Sequence, residues 1–386
     1  MSYRIPLFDL TVDVQEEQAV LEVLRDRWIS MGPRTERFEQ RFAELLGASN
    51  AVAVSNCTAA LHLALDALGV GPGDEVIVPS LTFVATVAAT RYVGAVPVFC
   101  DISRPEQPTI DPARVSEAIT SKTRAIVVMH YAGFPCDMDA LEEVAHRHKL
   151  CIVEDAAHAP GSTHRGRLLG TIGDVGCFSF FSNKNVTTAE GGMVVARSVE
   201  HYRRIKLLRS HAMTSLSYDR AQGHSTSYDV VDVGYNYRLD DIRAALGLVQ
   251  LNRLADDARR RLELRERYIA RLGEREDLTI PFLNWNEPAS NYILPIVLND
   301  RCRIPRDKVR AELADRGIQT SVHYPAVHRF SVYRPYARPL PMTEYFADRT
   351  LTLPLYPNLR TVQVDEICEA LVGVLGSRER VAVGAS

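Results

Sequence analysis

One lysine and its neighbours carry the most evident chemistry in this chain. Lys184 lies within SFFSNKNVTTAEGGM, Ser179 to Met193. It follows an apolar run, Cys177 to Phe181, whose adjacent aromatic residues favour a strand. A lysine at a strand end over a cleft can lose its proton when it is shielded from water or set beside other cations. It can then form a Schiff base with a carbonyl compound. The Gly191-Gly192 pair lets the backbone turn tightly or approach a ligand closely. Taken alone, the stretch also reads as a surface lysine in a loop.

A second constellation stands upstream in CIVEDAAH, Cys151 to His158. Three apolar residues run into two acids, and a carboxylate at the end of a buried strand is costly unless it is paired. Asp155 therefore calls for a cation, and a protonated pyridine nitrogen would serve. His158 could bond a phenolic oxygen or contact a ring. The competing reading makes Asp155 a helix cap and His158 a satisfied core histidine. Further upstream, Ser55-Asn56-Cys57-Thr58-Ala59-Ala60 joins a strand to a helix. Its polar side chains either cap the helix or leave backbone N–H groups for an anion. Phe83, after Pro79-Ser80-Leu81-Thr82, is either core or a stacking partner for a planar ring. Together, an acid, a lysine 29 positions later and a hydroxyl-rich helix start fit pyridoxal phosphate. The phosphate would sit on the helix N-terminus, the ring nitrogen on Asp155 and the aldehyde on Lys184.

The surrounding pattern supplies elements that can position these groups. Short apolar runs at Ala51–Val54, Val76–Val78, Ala125–Met129, Cys151–Val153 and Gly176–Phe181 are separated by helical patterns at Thr58–Leu68, Phe83–Val93, Asp111–Ile119 and Asp137–His148. Such alternation predicts an α/β fold, a mostly parallel sheet sandwiched by helices. Ligands in these folds bind beyond the carboxyl ends of the strands. An amphipathic helix at 13–27 and a second helix at 35–46 come first. A polar stretch, Ala212 to Tyr228, is long enough to suggest a lid. A long helix then runs from Asp240 to about Leu272, with Arg259-Arg260-Arg261 on its solvated face. Strand-like Asn291–Leu298, a helix at Pro305–Arg316, a strand near Ile318–His323 and a helix at Val364–Leu375 make a smaller C-terminal α+β domain. The boundary falls within the long helix, giving a large domain over 1–250, N-terminal helices included, and a small one over 251–386.

Composition narrows the function classes. The 386 residues are 46% hydrophobic with a formal net charge of -3, which offers no electrostatic footprint for nucleic acid. No apolar run reaches the length of a membrane span, and the first residues lack a secretory pattern. Seven scattered cysteines without a CxxC spacing read as reduced core residues of a cytoplasmic protein, with no metal site.

Across nearly its whole length the chain resembles the DegT/DnrJ/StrS sugar aminotransferases, pyridoxal-phosphate enzymes of the aspartate-aminotransferase-like fold. The matching stretches are SNCTAAL, PSLTF, EDAAHAPGS, SFFSNKNVTTAEGGM and GYNYRLDDIRAALGLVQL. The resemblance implies that Lys184 forms the Schiff base, Asp155 pairs with the ring nitrogen, His158 approaches the phenolic oxygen and Phe83 stacks on the ring. Ser179 and the Cys57-Thr58 turn would hold the phosphate. Asn236 would reach the phosphate of a neighbouring subunit, so the enzyme would be a homodimer with shared active sites. His323, Tyr324 and His328 resemble a small-domain segment facing the substrate, and structural turn residues are the competing reading. Cys57 departs from the glycine common in the family, and would be strained if φ there were positive.

The resemblance further implies a two-stage transamination. L-glutamate would aminate the cofactor to its pyridoxamine phosphate form, and a nucleotide-linked keto-deoxysugar would take the amino group. A keto-cyclitol acceptor is an alternative. Dehydratases of the family carry histidine in place of the lysine, so Lys184 favours transamination. A cofactor-binding regulatory protein without turnover and a structural dimer with degenerate sites are the remaining rivals.

Overall fold

The computed structural model describes residues 3–215 and 227–376. A seven-stranded sheet forms its centre, from β1 (Val52–Val54), β2 (Glu75–Pro79), β3 (Val96–Cys100), β6 (Thr123–Met129), β7 (Cys151–Asp155), β10 (Val175–Ser179) and β11 (Gly192–Ala196). The remaining early strands form two small ribbons, β4 (Ile102–Arg104) with β5 (Gln107–Ile110) and β8 (Thr163–His164) with β9 (Arg167–Leu168). The order across the main sheet is β1-β11-β10-β7-β6-β2-β3. The five strands from β10 to β3 are parallel, whereas β11 runs antiparallel to both β10 and β1. The predicted mostly parallel sheet is thus present. The apolar runs do not include β3, whose VPVFC alternates half-buried and buried positions instead of forming one apolar block.

Helices cover both faces, as expected for a sheet buried on both sides. One core cluster joins the sheet to α2 (Pro33–Leu45), α5 (Pro112–Ala118) and α6 (Met138–His148). The other joins it to α3 (Cys57–Ala67), α4 (Val84–Tyr92) and α7 (Val199–Leu208). The period-two alternation of strands assigns each side chain to one face. In β10, Phe178 belongs to the α2 face and Cys177 to the α3 face. Phe178 and Phe180 pack edge-on against Phe42, at 4.9 and 5.4 Å between ring centres. That packing holds the strand end from which the lysine loop departs.

Local starts follow their sequence signals. Asp13 and Glu16 form a capping box for α1 (Val14–Asp26), and Asp111 caps α5 with Pro112 in its first turn. The apolar face expected of α1 is only partly covered. Val23 is buried, while Val14, Leu21 and Leu24 are exposed. Glu16 is buried instead, accepting bonds from Gln250 and Arg253.

The long helix α8 (Asp241–Leu272) spans both halves of the chain. Ala244 and Leu254 pack in the sheet's core, and Leu264, Tyr268 and Leu272 pack in a separate C-terminal core. That second core surrounds an antiparallel sheet of β12 (Leu278–Thr279), β13 (Leu294–Leu298) and β14 (Thr350–Leu353). It is covered by α9 (Arg306–Asp315) and α11 (Thr361–Leu375); α10 (Pro341–Arg349) packs Phe346 into a smaller cluster beside it. Ile5 lies in the C-terminal core and bridges Ile318, so the N-terminal end of the chain packs with the C-terminal unit.

Two expectations need correction. The stretch Ile318–His323 forms isolated bridges, not a strand. Arg261 is not on a solvated face: it is 5% exposed and bonds the carbonyls of Tyr292 and Leu355, while Arg259 and Arg260 form surface ion pairs. Helical period decides this, because three consecutive residues span about 200° of the helix surface and cannot share one face. The expected lid at 212–228 lies for the most part outside the described residues; Met213, near its start, and Val230, two residues past its end, form an antiparallel bridge.

Candidate active site

The carboxyl ends of the parallel strands open onto a cavity of about 630 Å³. Asn56, Cys57, Thr58, Phe83, Asp155, His158, Ser179, Lys184, Tyr292, His323 and Tyr324 are among the residues lining it. Nearly every predicted site residue is therefore brought to one place, although they are spread over some 270 positions of sequence.

Asp155 is the last residue of β7 and faces the α3 side, with Val153 two positions earlier in the same cluster. Glu154, one residue before, points to the other face. There it bonds His130 and takes backbone N–H bonds from Gly170, Ile172 and Gly173, so it is a structural anchor. Asp155 accepts bonds from Thr86 Oγ1 at 2.6 Å and from the Ala157 N–H at 3.2 Å. Its hydrogen bonds come from these two neutral groups, and the cations Lys184 and His130 act on it only at a distance. Burial raises its pKa above the usual carboxylate value, with the Thr86 bond the largest opposing influence. A buried carboxylate with hydrogen bonds but no cation is suited to receive one.

His158 is buried, with Nε2 2.9 Å from the Tyr324 hydroxyl and Nδ1 without a partner. Burial pushes its pKa well below the ordinary histidine value, and the nearby Lys184 adds to the effect. It is a neutral imidazole with an unused ring nitrogen in the cavity wall. His323 is held at Nδ1 by Thr352 Oγ1, 2.9 Å away, and burial followed by Lys184 pushes it down to about 4.

Lys184 follows β10 after a tight turn in which its N–H bonds the carbonyl of Phe181. Its ammonium lies over the Tyr292 ring. The start of α3 forms another wall. Asn56 caps the helix by accepting the Ala59 N–H, which leaves the earlier N–H groups of Cys57 and Thr58 for another acceptor. Capping and anion binding are thus divided between Asn56 and the two residues after it. Cys57 is not among the residues with positive φ, so the cysteine fits the turn without backbone strain. Gly192 does not turn the chain: a Cβ there would stand 2.7 Å from Asn56 and 2.8 Å from the Cys57 nitrogen. Its hydrogen lets β11 pass close to the start of α3.

Phe83 is the N-cap of α4 and is 56% exposed at the cavity, with its ring centre 6.0 Å from that of Tyr324. It is not core. Two predicted residues stand apart from the cavity. Asn236 is exposed and bridges Ser210. His328 is a correction: it is buried, with Nδ1 2.7 Å from Ser80 Oγ and Nε2 3.2 Å from Glu344. These partners make it a structural residue beneath the site.

Thr86, Tyr292 and Asn183 carry no sequence signal of their own that marks them as site residues. Tyr292 sits within an apolar run before β13, and nothing in that run distinguishes a cavity-lining tyrosine from a core one. Thr86 lies one turn after Phe83, which is the signal that could have drawn attention to it.

The donor set fits pyridoxal phosphate. The cavity offers a primary amine, an unpaired buried carboxylate, free helix N–H groups beside Ser179, and an exposed aromatic face. No group of acidic, histidine or cysteine side chains able to hold a metal occurs among the described residues, and none of their helices is long and apolar enough to cross a membrane.

The chain is similar to known proteins over most of its length. The model of the DegT/DnrJ/EryC1/StrS aminotransferase family matches residues 11–372. The spore coat polysaccharide biosynthesis protein SpsC of Bacillus subtilis (strain 168) is 38% identical over 378 residues, covering 96% of each chain. The structure of Spr1654 from Streptococcus pneumoniae in its PMP form superposes with a TM-score of 0.90 at 32% identity, over 96% of this chain and 99% of that one. A PLP form of the same protein is also similar. DesI, solved in the presence of its TDP-sugar product, superposes with a TM-score of 0.87 at 30% identity, over 98% of this chain and 94% of that one.

Proposed function

The chain belongs to the DegT/DnrJ/EryC1/StrS aminotransferase family and is a pyridoxal-phosphate-dependent sugar aminotransferase, and from that premise we propose that it transfers the amino group of L-glutamate to a nucleotide-linked keto-sugar. The observation that carries the mechanistic reading is the convergence of Lys184, Asp155 and His158 on one cavity. When bound, pyridoxal phosphate supplies an aldehyde that accepts an amino group and a pyridine ring that withdraws electrons. Lys184 would hold the aldehyde, Asp155 the ring nitrogen, and the Cys57-Thr58 turn with Ser179 the phosphate.

The residues divide the work by their chemistry. The Lys184 amine would move a proton from the donor's α-carbon to the carbon that bears the aldehyde, and in the second half-reaction move one back from that carbon to the acceptor carbon. Asp155, in its charged form, would keep a proton on the ring nitrogen. His158, tied to the Tyr324 hydroxyl and with its pKa pushed down by burial, would orient the phenolic side without adding a competing charge. Phe83, at the cavity wall, would cover one face of the ring. His323 and Tyr324 line the same cavity and are the substrate-facing groups of the C-terminal unit.

A nucleotide-linked acceptor is supported by the TDP-sugar product of DesI and by the extent of the cavity, which continues past the α3 start to Leu61, Tyr92 and Tyr237. A homodimer with shared sites is supported by Asn236, which does not line its own chain's cavity. Val230, Val231 and Val233, just before it, expose apolar surface that a second copy would cover.

The test is the visible absorption of the purified protein before and after L-glutamate. A yellow protein that bleaches with glutamate and recovers with 2-oxoglutarate supports the proposal. A yellow protein indifferent to glutamate points to another donor or to a regulatory role. A protein that stays colourless after incubation with pyridoxal phosphate overturns the cofactor assignment for these residues. Full turnover by Lys184→Ala would remove the lysine from its role.

A further inference from the structure

We propose that Thr86 is the positioning residue of the Asp155 carboxylate, and that Thr82 and Thr86 form a directed hydroxyl chain that holds this carboxylate charged and correctly turned toward a protonated pyridine nitrogen. The proposal rests on the reading of Asp155 as the ring-nitrogen partner.

The geometry is specific. Thr86 Oγ1 lies 2.6 Å from Asp155 Oδ2, and the Ala157 N–H reaches Oδ1 at 3.2 Å. The shorter distance is that of a hydroxyl donating to an ionised oxygen. With each oxygen engaged by a different donor, the carboxylate cannot rotate about its χ2 without losing both. Thr82 Oγ1 is 2.7 Å from Thr86 Oγ1. A charged carboxylate only accepts, so the Thr86 proton is committed to Asp155. The Thr86 oxygen must therefore accept from Thr82, and the chain has one direction, from Thr82 through Thr86 to Asp155.

Burial makes the two hydroxyls irreplaceable by solvent. Thr86 is fully buried and Thr82 is 1% exposed. Valine would fill the same shape, and a hydroxyl in such surroundings is costly unless it is bonded. The same short segment carries Phe83 at the helix N-cap. The start of α4 thus sets both the ring-covering aromatic and the orientation of the acid. Its N-terminal dipole also favours negative charge nearby.

The consequence follows by sign. Removing the Thr86 donor disfavours the charged carboxylate, which weakens its pairing with a pyridinium. The ring nitrogen then releases its proton at lower pH.

The experiment uses apo-protein reconstituted with ¹⁵N-labelled pyridoxal phosphate, with the ring-nitrogen resonance followed by NMR across the neutral and alkaline range. Wild type and Thr86→Ser should hold the ring proton to the same pH. Thr86→Val should lose it about one pH unit lower or more, with kcat down about tenfold and the donor KM changed by less than about threefold. A Thr86→Val titration superimposable on wild type overturns the proposal. If Thr86→Val does not fold, as judged by circular dichroism, Thr82→Val takes its place, and a smaller shift in the same direction is required. No shift in Thr82→Val then overturns the proposal. A wild-type ring nitrogen that is unprotonated throughout overturns the reading of Asp155 itself, a failure distinguishable from that of Thr86 alone.

Discussion

The Lys184 ammonium lies 4.2 Å from the centre of the Tyr292 ring, and the same ring lies 4.2 Å from that of His158. Tyr292 is therefore a shared wall between the amine and the imidazole, and its hydroxyl is tied to Asn183 Oδ1 at 3.0 Å. A cation over an aromatic face is held by the ring quadrupole, an attraction worth about 0.5–2 kcal/mol. The two ends of the tyrosine thus brace the lysine loop from below.

Tyr292→Leu should lower kcat/KM about tenfold by removing the platform, whereas Tyr292→Phe should stay within about threefold of wild type. Steady-state kinetics on the two variants check this. Equal losses in both would transfer the effect from the ring face to the hydroxyl.

Gly192 permits the close passage of β11 beside the start of α3. Gly192→Ala places a methyl group against backbone atoms of Asn56 and Cys57, which cannot swing aside as a side-chain tip can. The expected cost is about 1–3 kcal/mol in denaturant unfolding, with weaker pyridoxal phosphate binding because the first turn of α3 moves. Gly71→Ala, where a Cβ meets nothing within 4 Å and φ is not positive, is the control and should change neither.

The stability of the apo-protein should fall as pH drops from about 6.5 to about 4, partly through His323. Its folded pKa is pushed down to about 4 by burial first and by Lys184 second. Between those values the unfolded chain binds a proton that the folded chain refuses, so acid favours unfolding. The contribution is on the order of 3 kcal/mol. His323→Gln should flatten the dependence of unfolding free energy on pH in that window. An unchanged slope would remove His323 as its source.

The proposed sharing of sites between two copies predicts complementation. Lys184→Ala and Asn236→Ala should each be inactive or severely impaired, with kcat reduced about 10²–10⁴-fold for the lysine variant. Mixed after dissociation and reassociation, they should form heterodimers in which one of the two sites has both native residues. Activity should then rise toward a quarter of wild type in an equimolar mixture, by random pairing and one site per heterodimer. A mixture no more active than its parts would show that each chain builds its site alone.

Much of the site was legible in the sequence because its residues stand at element junctions. Strand ends and helix starts carry local signals: Asp155 and Lys184 each follow an apolar run, Cys57 and Thr58 open a helix after a polar turn, and Phe83 stands at the next one. The capping carboxylates Asp13 and Asp111 set their helix starts through bonds within a few residues, so local sequence suffices for them.

Other features depended on contacts between distant segments. Only packing puts Tyr292 beneath Lys184, turns Arg261 inward and buries His328 on Ser80 instead of at the cavity. Strand parity, fixed by the register of β7 between β6 and β10, decides that Asp155 faces the site while Glu154 anchors the loop behind it. Adjacent acids are equivalent in composition, and the difference between them is which side of a pleated strand each occupies. Local pattern is enough for the alternating elements and for the chemistry held at their ends. The tertiary structure decided which of those ends share a cavity, because that depends on strand order and register, which no local pattern encodes.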